Sequence, residues 1–416
     1  MRAIIAGGGI AGLTTALELS RIGVEVAVYE AAPEISPLGV GINLLPHSVR
    51  ILADLGLQDR LLGKGVATGE LVYFNRFGQR IWGEPRGRFA GYPWPQISLH
   101  RGALQMTLLE AARERLGADI VRLDRRLTGF RQEGDEVEAA FTDAAGGETR
   151  VRGDMLLACD GIHSAARRIL NPAEGPPVYG GRILWRGVTR ARPFLTGATM
   201  IMAGHQNQKF VCYPLEAPGA DGLQPINWIA ELAEPQMPNR EDWNRPGRLE
   251  DFAPQFADWN FGWLDAAALI RDAQSVFEYP LVDRDPLERW THGRVTLVGD
   301  AAHPMYPIGS NGASQGILDA RALAEALRAD ADVGSALAAY DAARRPPTAA
   351  IVLANRGNGP EQCMQLAHER APDGFADIED VIPRAELEAI AARYKQVAGF
   401  SKEALAATND SEKADA

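Results

Sequence analysis

The stretch Arg294–Arg321, RVTLVGDAAHPMYPIGSNGASQGILDAR, predicts a buried strand, an acidic turn, a loop rich in glycine and proline, and the start of a helix. Val295 and Leu297 give the strand its apolar character, and Gly299-Asp300 ends it. Because ligands bind at the carboxyl edge of open α/β sheets, Asp300 is placed to accept hydrogen bonds from sugar hydroxyl groups. An ordinary strand, loop and helix with a surface aspartate is the alternative interpretation.

The loop and the helix after this strand suit the binding of a flat ring. Prolines and glycines at close intervals, among them Pro307, Gly309 and Gly312, fix or free the backbone where it must pass close to such a ring. The apolar residues that follow recur at helical spacing, so a helix is expected after Asn311. Its N-terminal N–H groups would face the ring and stabilise negative charge.

A glycine motif near the start of the chain predicts a dinucleotide site. Gly7 allows a tight turn after the first strand, Gly9 lets the backbone approach a pyrophosphate, and Gly12 lets helix and strand pack closely. Glu30 ends the next apolar strand, 18 residues after Gly12, where it can bind ribose hydroxyl groups. An acid at this position favours an adenosine with a free 2′-hydroxyl, hence FAD or NAD.

Three other positions are candidates for the same site. The apolar stretch before Asp160-Gly161 predicts a third buried strand that ends in an acid and a glycine. Arg101 stands where a strand meets a helix and can bind a phosphate or ribityl oxygen. The glycines around Gly41 suggest a loop that passes a planar ligand. A polar cap, a surface charge and a plain connection remain the respective alternatives.

Composition limits the class of protein. The chain has 416 residues, of which 46% are hydrophobic and 23% charged, so an ordinary globular protein of two domains is expected. A net charge of −11 argues against nucleic acid as a partner. No signal peptide and no membrane-spanning run are expected. Cys159, Cys212 and Cys363 are far apart, which favours reduced thiols in the cytoplasm and no metal site.

Residues 181 to about 280 lack the helical period and predict an antiparallel sheet, one face of which closes over a pocket. Aromatic side chains are the candidates for lining this pocket, although most aromatic residues on a sheet belong to a core. The predicted pocket residues are Trp185, Phe210, Tyr213, Trp228, Tyr306 and Pro307.

Three segments together resemble the class A flavoprotein monooxygenases, which are FAD-dependent aromatic hydroxylases. They are the Gly7 motif that ends at Glu30, the segment 159–167 (CDGIHSAAR) and the segment 299–304 (GDAAHP). In that family the first binds the FAD adenosine and pyrophosphate, the second serves both FAD and NAD(P)H, and the third binds FAD ribose and pyrophosphate. The pyocyanin-forming phenazine hydroxylase branch is the most similar, because the segments 37–43 (PLGVGIN), 185–188 (WRGV) and 305–315 (MYPIGSNGASQ) resemble its loops.

The resemblance implies an α/β fold with a Rossmann-like FAD-binding domain, an inserted antiparallel-sheet substrate domain and C-terminal helices. The FAD-binding domain takes residues 1–69, 97–180 and 285–345, and the substrate domain takes residues 70–96 and 181–284. Residues 346–400 are predicted to form the helices and residues 401–416 a disordered tail. The expected cofactor-binding residues are Gly7, Gly9, Ile10, Ala11, Gly12, Glu30, Gly41, Arg101, Asp160, Gly161, Arg167, Gly299, Asp300, Pro307, Gly309, Asn311, Gly312 and Ala313.

The implied reaction is hydroxylation of an aromatic or heteroaromatic small molecule, with or without loss of a ring substituent. NADH or NADPH reduces FAD, molecular oxygen then forms a flavin C4a-hydroperoxide, and its distal oxygen passes to the substrate ring. The protein must orient that ring and exclude water. Tyr213, His205 and Tyr306 are the candidates for moving a substrate proton. A monomer or homodimer with no membrane partner is expected.

Other activities stay open at this point. A flavin oxidase or reductase, or Baeyer-Villiger-type oxygen insertion beside a ketone, would use the same fold. A noncatalytic flavin-bearing sensor or scaffold is an alternative of another class. The segment 94–97 (WPQI) does not reproduce the signature of flavin halogenases, Trp-x-Trp-x-Ile-Pro. Neither the substrate ring nor the preferred nicotinamide follows from the sequence.

Overall fold

The computed structural model of the protein describes residues 1–37, 39–237 and 245–405. Its strands are β1 (Arg2–Ala6), β2 (Glu25–Tyr29), β3 (Gly41–Leu44), β4 (Gly65–Ala67), β5 (Glu70–Phe74), β6 (Arg80–Pro85), β7 (Ile97–His100), β8 (Val121–Arg122), β9 (Arg126–Glu133), β10 (Glu136–Thr142), β11 (Glu148–Gly153), β12 (Met155–Ala158), β13 (Val178–Ala191), β14 (Thr199–His205), β15 (Gln208–Pro214), β16 (Gln224–Ala233), β17 (Arg245–Pro246), β18 (Val276–Asp283), β19 (Thr291–His292) and β20 (Val295–Leu297). Its helices are α1 (Ile10–Arg21), α2 (Pro46–Asp54), α3 (Gln58–Leu62), α4 (Arg101–Leu116), α5 (Ala165–Leu170), α6 (Leu249–Phe252), α7 (Ala266–Arg271), α8 (Gly312–Ala329), α9 (Val333–Arg356), α10 (Gln362–Arg370) and α11 (Arg384–Val397).

A six-stranded sheet in the order β19-β20-β12-β1-β2-β8 forms the first layer. β1 runs parallel to β2 and β12, and β12 runs parallel to β20. Every residue of β12 and β20 is buried, as is typical of parallel strands that are covered on both faces. The predicted α/β class is confirmed, and these parallel strands end at one edge of the sheet.

Two glycines set the geometry where β1 ends. Gly7 has φ +111°, and a side chain there would overlap the carbonyl of Cys159 at the end of β12. A side chain on Gly12 would overlap the carbonyl of Gly7, so α1 packs against the end of β1 only with glycine at this position. The N-terminus of α1 therefore lies directly at the edge of the sheet.

A second sheet of eight strands has the order β17-β18-β13-β16-β15-β14-β5-β6. Its strands come from residues 70–85 and 178–283, and its central strands β13, β16, β15 and β14 pair antiparallel. Side chains alternate between the two faces along each strand. One face turns toward the carboxyl edge of the parallel sheet, and the other is covered by α6, α7 and the turn between them.

The large aromatic residues of this sheet lie on the covered face. Trp185 stacks on Phe252 at 4.8 Å between ring centroids, and Phe210 and Trp228 are fully buried in the same cluster. The prediction that Trp185, Phe210 and Trp228 line a pocket was therefore wrong. The aromatic composition of the strands suggested that these residues line a pocket. Successive side chains of a strand point to opposite faces of the sheet, however, and all three of these side chains point to the core face.

Helices near the C-terminus brace both sheets. α9 runs without interruption through Pro346 and Pro347, so the predicted boundary after residue 345 falls inside a helix. The buried side chains of Tyr340, Ile351 and Val352 hold the two halves of α9 on one surface despite the prolines. Of the predicted disordered tail, residues 406–416 lie outside the described residues, whereas Leu405 is buried. No helix in the described ranges is long and apolar enough to cross a lipid bilayer.

We expect Phe210→Ala to lower the free energy of unfolding by about 3–5 kcal/mol, because the cavity it leaves lies among rigid aromatic neighbours. Phe77→Ala is the matched control, since Phe77 is 46% exposed and its loss should cost less than about 0.5 kcal/mol. Thermal melting followed by tryptophan fluorescence measures both. Equal melting temperatures for the two variants would contradict the assignment of Phe210 to the core.

Candidate active site

Two adjoining cavities lie at the carboxyl edge of the parallel sheet. The larger, of about 880 Å³, runs along the ends of β1, β2 and β12. The smaller, of about 360 Å³, lies between that edge and the eight-stranded sheet. Both are lined by Gly9, Arg101, Gly161, Asp300 and Pro307. The two cavities thus form one continuous space, long enough for an extended ligand and a second molecule at its end.

The structure brings the three acids predicted from the strand ends, Glu30, Asp160 and Asp300, into the larger cavity. The Glu30 carboxylate accepts hydrogen bonds from the backbone N–H groups of Gly8 at 2.6 Å and Ala32 at 2.8 Å. These bonds hold it beside the glycine loop at the start of α1. Because these bonds already order the carboxylate, binding a ligand with hydroxyl groups costs little further conformational entropy at this side chain.

Asp160 and Asp300 are the more unusual acids. Asp160 Oδ2 accepts a hydrogen bond from the Ala165 N–H at 2.7 Å, but its buried Oδ1 has no hydrogen-bond partner among the described residues. Burial raises the pKa of both carboxyl groups, and Arg101 and His303 counteract this at Asp300. An unsatisfied buried oxygen beside a cavity indicates a site that a ligand with hydrogen-bond donors completes.

The loop before α8 forms the opposite wall. Pro307, Asn311, Gly312 and Ala313 line the smaller cavity, where the first N–H groups of α8 point. The buried Asn311 side chain is held by the Tyr394 hydroxyl at 3.0 Å, which lies 3.0 Å from the carbonyl oxygen of Ile308. The C-terminal helix α11 thus fixes the loop from behind.

Gly309 serves this packing and lines neither cavity. It has φ +68°, and a side chain there would overlap the Tyr394 ring. The prediction of Gly309 as a cofactor contact is therefore corrected, because the close approach that needs glycine is to Tyr394. Gly12, likewise, lines neither cavity, and its role is the packing of α1 on β1.

The prediction of Arg167 as a cofactor contact is also corrected. Its guanidinium is 1% exposed and binds Glu174 at 2.7 Å, and it also donates to the carbonyl oxygens of Ala301, Ala302 and Asp285. It lines neither cavity. Arg167 ties α5 to the turn after β20, and its neighbour on the same helix, Arg168, lines the larger cavity.

A buried ion cluster holds that same turn. Asp319 on α8 accepts hydrogen bonds from His303 Nε2 at 2.6 Å, the Gly299 N–H at 3.0 Å and Arg344 Nε at 2.8 Å. Burial alone would raise the pKa of Asp319, but His303 and Arg344 outweigh it and lower the pKa to about 2. The position of Asp300 therefore depends on a carboxylate that the sequence analysis did not single out.

The eight-stranded sheet supplies the far wall of the smaller cavity. Its cavity face carries Leu184, Arg186, Met200, Met202, Lys209, Val211, Tyr213, Ile229 and Glu231. Tyr213 is thus the predicted sheet aromatic that reaches the cavity. Burial raises the pKa of Tyr213 to about 12, although the charge of Arg186 and its hydrogen bond to the phenol oxygen oppose the shift. The phenol therefore keeps its proton at neutral pH.

The other two candidates for proton transfer lie elsewhere. His205 has the opposite parity on β14 from Met200 and Met202, and its ring stacks on that of His368 at 3.9 Å. Tyr306 is buried beside Gly180, where a side chain on that glycine would lie 2.7 Å from the Tyr306 hydroxyl. Neither residue lines either of the two cavities, so the structure does not support them as groups that touch a substrate there.

Sequence reasoning missed the charged residues of the smaller cavity. Arg186, Lys209, Glu231 and Glu361 all line it. Lysine, arginine and glutamate within otherwise apolar strands were the available signal, because a charge at a buried position marks a site more often than an aromatic residue does. Within the described ranges no group of three or more His, Cys, Asp or Glu residues is suited to a metal ion.

The glycine loop, the acids and the length of the larger cavity fit an adenine dinucleotide. A Cβ atom added at Gly9 would have no neighbouring atom within 4 Å. This open space lets a pyrophosphate approach the backbone. Residues 1–355 match the family model whose description is FAD binding domain. The chain belongs to this family. FAD is its cofactor, NAD(P)H the reductant and molecular oxygen the co-substrate.

Similarity to known proteins shows which class of FAD-dependent enzyme this is. The chain is 44% identical over 401 residues to phenazine 1,6-dicarboxylic acid hydroxylase PhzS of Lysobacter antibioticus, covering 95% of this chain and 96% of the relative. It is 34% identical to 3-amino-4-hydroxybenzoate 2-monooxygenase PtnB3 of Streptomyces platensis, covering 86% and 88%. The protein is an FAD-dependent aromatic monooxygenase, and the predicted resemblance to the phenazine hydroxylase branch is confirmed.

Solved structures agree on the fold. The crystal structure of Klebsiella pneumoniae HpxO complexed with FAD and uric acid matches 94% of this chain and 97% of that chain, with a TM-score of 0.74 and 22% identity. The 2,6-dihydroxypyridine-3-hydroxylase of Arthrobacter nicotinovorans matches 85% and 92%, with a TM-score of 0.71 and 23% identity. At this identity the likeness shows the fold alone.

We expect Asp319→Asn to lower the free energy of unfolding by about 3–5 kcal/mol, because it leaves Arg344 without its buried partner. In the wild type, the ionised carboxylate stabilises the fold above the ordinary pKa of 3.8, and this contribution is lost as the pH falls through about 2. The variant should lack that acid-dependent loss. Melting curves from pH 7 to pH 2 measure it, with the exposed Asp272→Asn as control. Identical acid profiles for wild type and Asp319→Asn would contradict the assignment.

Proposed function

We propose that the protein hydroxylates a planar, polycyclic heteroaromatic carboxylic acid of the phenazine type. The observation that carries the proposal is the position of Arg186 in the sheet wall of the smaller cavity, beside apolar side chains and next to the larger cavity. The relative that is 44% identical over 401 residues is named for phenazine 1,6-dicarboxylic acid, which supports a phenazine with at least one carboxylate as the class of substrate.

Arg186 has the contacts of a group held ready for an anion. One terminal nitrogen donates to the carbonyl oxygen of Gly41 at 2.9 Å, while its buried Nε has no hydrogen-bond partner among the described residues. Its guanidinium also lies 5.9 Å from the centre of the Tyr279 ring. Arg186 lines both cavities, so it stands at the boundary between cofactor and substrate. A guanidinium with an unused N–H group is suited to a carboxylate.

The remainder of the wall suits a flat ring. Met200, Met202, Val211 and Ile229 present apolar side chains to the cavity, and methionine adapts its shape to aromatic ligands. Such a wall holds the ring by apolar contact and excludes water from the place of reaction. Tyr213, protonated at neutral pH, would donate a hydrogen bond to a ring substituent and orient the ring.

We assign the cofactor to the larger cavity and the loop before α8. Gly9 and the N-terminus of α1 would hold the pyrophosphate, Glu30 the adenosine ribose, and Asp300 the ribityl chain or pyrophosphate. The first N–H groups of α8, at Gly312 and Ala313, would stabilise negative charge on the flavin ring. When bound, FAD takes electrons from NAD(P)H and activates oxygen, and the protein contributes binding, orientation and dryness.

We place this activity in the cytoplasm, since all three cysteines are free and buried thiols, as is typical of a reducing compartment. The protein would act as a monomer or homodimer without nucleic acid or membrane as a partner.

We expect the FAD-loaded protein to oxidise NAD(P)H faster with phenazine-1-carboxylate than without it, and the product to gain one oxygen, with or without loss of carbon dioxide. Mass spectrometry of the product, together with a peroxide assay, measures the outcome. Peroxide as the sole product, at a rate that does not depend on the phenazine, would overturn the proposal. Faster turnover of 3-amino-4-hydroxybenzoate would assign a monocyclic substrate instead.

We expect Arg186→Met to raise the dissociation constant of phenazine-1-carboxylate by about 10- to 100-fold, because a hydrogen bond to a charged group is worth about 1.5–3 kcal/mol. Arg186→Lys should recover part of the loss, since lysine restores the charge but not the planar donor group. Titration by the change in flavin absorbance measures the binding.

Arg190→Met is the matched control for this test. Arg190 lies on the same strand, β13, but is half exposed and pairs with Asp221 at the surface. Its replacement should leave the dissociation constant unchanged. Equal effects of Arg186→Met and Arg190→Met would exclude Arg186 as the group that binds the carboxylate.

A further inference from the structure

A group of four charged residues, here called the Lys209 cluster, is buried at the wall of the smaller cavity. Lys209 Nζ lies 3.0 Å from Glu231 Oε2 and 2.6 Å from Glu361 Oε2. Arg182 donates to Glu231 Oε1 at 3.1 Å. The side chains of Lys209, Glu231 and Glu361 are at most 6% exposed, and all three residues line the cavity. Charges buried beside a cavity indicate a part of the site that recognises a ligand.

One carboxylate oxygen of the cluster is left for a ligand. Both oxygens of Glu231 are occupied, Oε1 by Arg182 and Oε2 by Lys209. Glu361 Oε2 accepts a hydrogen bond from Lys209, whereas Glu361 Oε1 has no hydrogen-bond partner among the described residues. Oε1 also keeps some accessible surface, and Glu361 lines the cavity. This oxygen can therefore accept a hydrogen bond from a molecule in the cavity.

Lys209 decides which oxygen of Glu361 stays free. Burial disfavours the ammonium group of Lys209, but Glu231 and Glu361 outweigh it and raise its pKa, so the ammonium stays charged. Burial also raises the pKa of Glu361, although the charge of Lys209 opposes the shift. An ammonium group has donors and no acceptor, so the atom of residue 361 that it contacts must be an acceptor. The other atom of the same group is the one that a ligand can reach.

Arg186, the proposed carboxylate-binding residue, lies close to this cluster. In the register of β13 and β16, Leu184 pairs with Glu231 and Arg186 pairs with Ile229. Arg186 is therefore the diagonal neighbour of Glu231 on the cavity face, and such neighbours are about 7–8 Å apart. An aromatic acid bound at Arg186 thus lies beside the cluster.

We propose that Glu361 is a specificity-determining residue, whose free Oε1 accepts a hydrogen bond from a hydroxyl or amino group on the substrate ring. The preferred substrate is then a phenazine-type acid that already carries such a donor group. The match to the family model ends at residue 355, so Glu361 is a feature of this chain that the family model does not describe. This inference rests on the proposed function.

The first test uses the FAD-loaded wild type and compares phenazine-1-carboxylate with its monohydroxy and monoamino derivatives by titration of flavin absorbance. At least one hydroxy and one amino isomer should bind at least about tenfold more tightly than the parent acid, because a hydrogen bond to a charged group is strong. The fluoro compound with the same substitution pattern cannot donate and should bind no more tightly than the parent. Equal affinities for the parent and all derivatives would overturn the inference.

The second test exchanges the acceptor for a donor. In Glu361→Gln, Lys209 pairs with the amide oxygen, so the amide NH2 group takes the place of Oε1. The affinity of the amino derivative relative to the parent acid should then fall at least about tenfold. Glu369→Gln is the matched control, because Glu369 lies exposed on α10 and lines neither cavity, and it should leave this ratio unchanged.

The ratio separates recognition from packing. If Glu361 only supports the wall, Glu361→Gln changes the binding of all these ligands alike and leaves the ratio at its wild-type value, which would refute the proposal. If Glu361→Gln does not fold, the wild-type comparison still decides. If no phenazine changes the flavin spectrum, the proposed function fails, and benzoate with its hydroxy and amino derivatives then provides the same comparison in the three proteins.

Discussion

The parallel alignment of β1, β12 and β20 is the constraint on which the rest of the structure depends. The Cys159 N–H donates to the Ala6 carbonyl at 2.7 Å and the Val298 N–H to the Ala158 carbonyl at 2.9 Å, so the three strands end at the same level. Each strand is followed by a glycine, or by an acid and a glycine. Segments more than a hundred residues apart in the chain therefore deliver their polar groups to one edge, where no strand continues and a ligand can approach the backbone.

Buried hydrogen bonds and ion pairs fix the loops at this edge of the sheet, because the strands themselves do not hold them in place. Asp319 fixes the turn that carries Asp300, and Tyr394 fixes the loop that precedes α8. Both anchors lie behind the cavity wall and are separated from the cavity by the backbone they support. Because each is bonded on several sides in a low-dielectric interior, the loops have one arrangement, and the site is organised before any ligand binds.

In the eight-stranded sheet, alternate residues of each strand point to opposite faces, so one set packs in the core and the other lines the cavity. Phe210 and Cys212 face the core, whereas Lys209, Val211 and Tyr213 face the cavity, and the neighbouring strands repeat the pattern. Bulky aromatic residues gain most from burial under α6 and α7, which leaves methionine and a few charges for the cavity. Arg186, Lys209 and Glu231 are the charged residues of this sheet that line the smaller cavity.

The sequence by itself determined the fold class, the glycine motif and the acids Glu30, Asp160 and Asp300, because local patterns of two or three residues encode strand ends and tight turns. Only the tertiary structure decided which face of the sheet meets the cofactor edge, that Arg167 and Gly309 support the site from behind, and that Glu361 joins Lys209. No local sequence pattern shows which face of a strand will meet a distant part of the chain. Nor does one show a contact between residues 152 positions apart, such as Lys209 and Glu361. They arise when the two sheets and the C-terminal helices pack together.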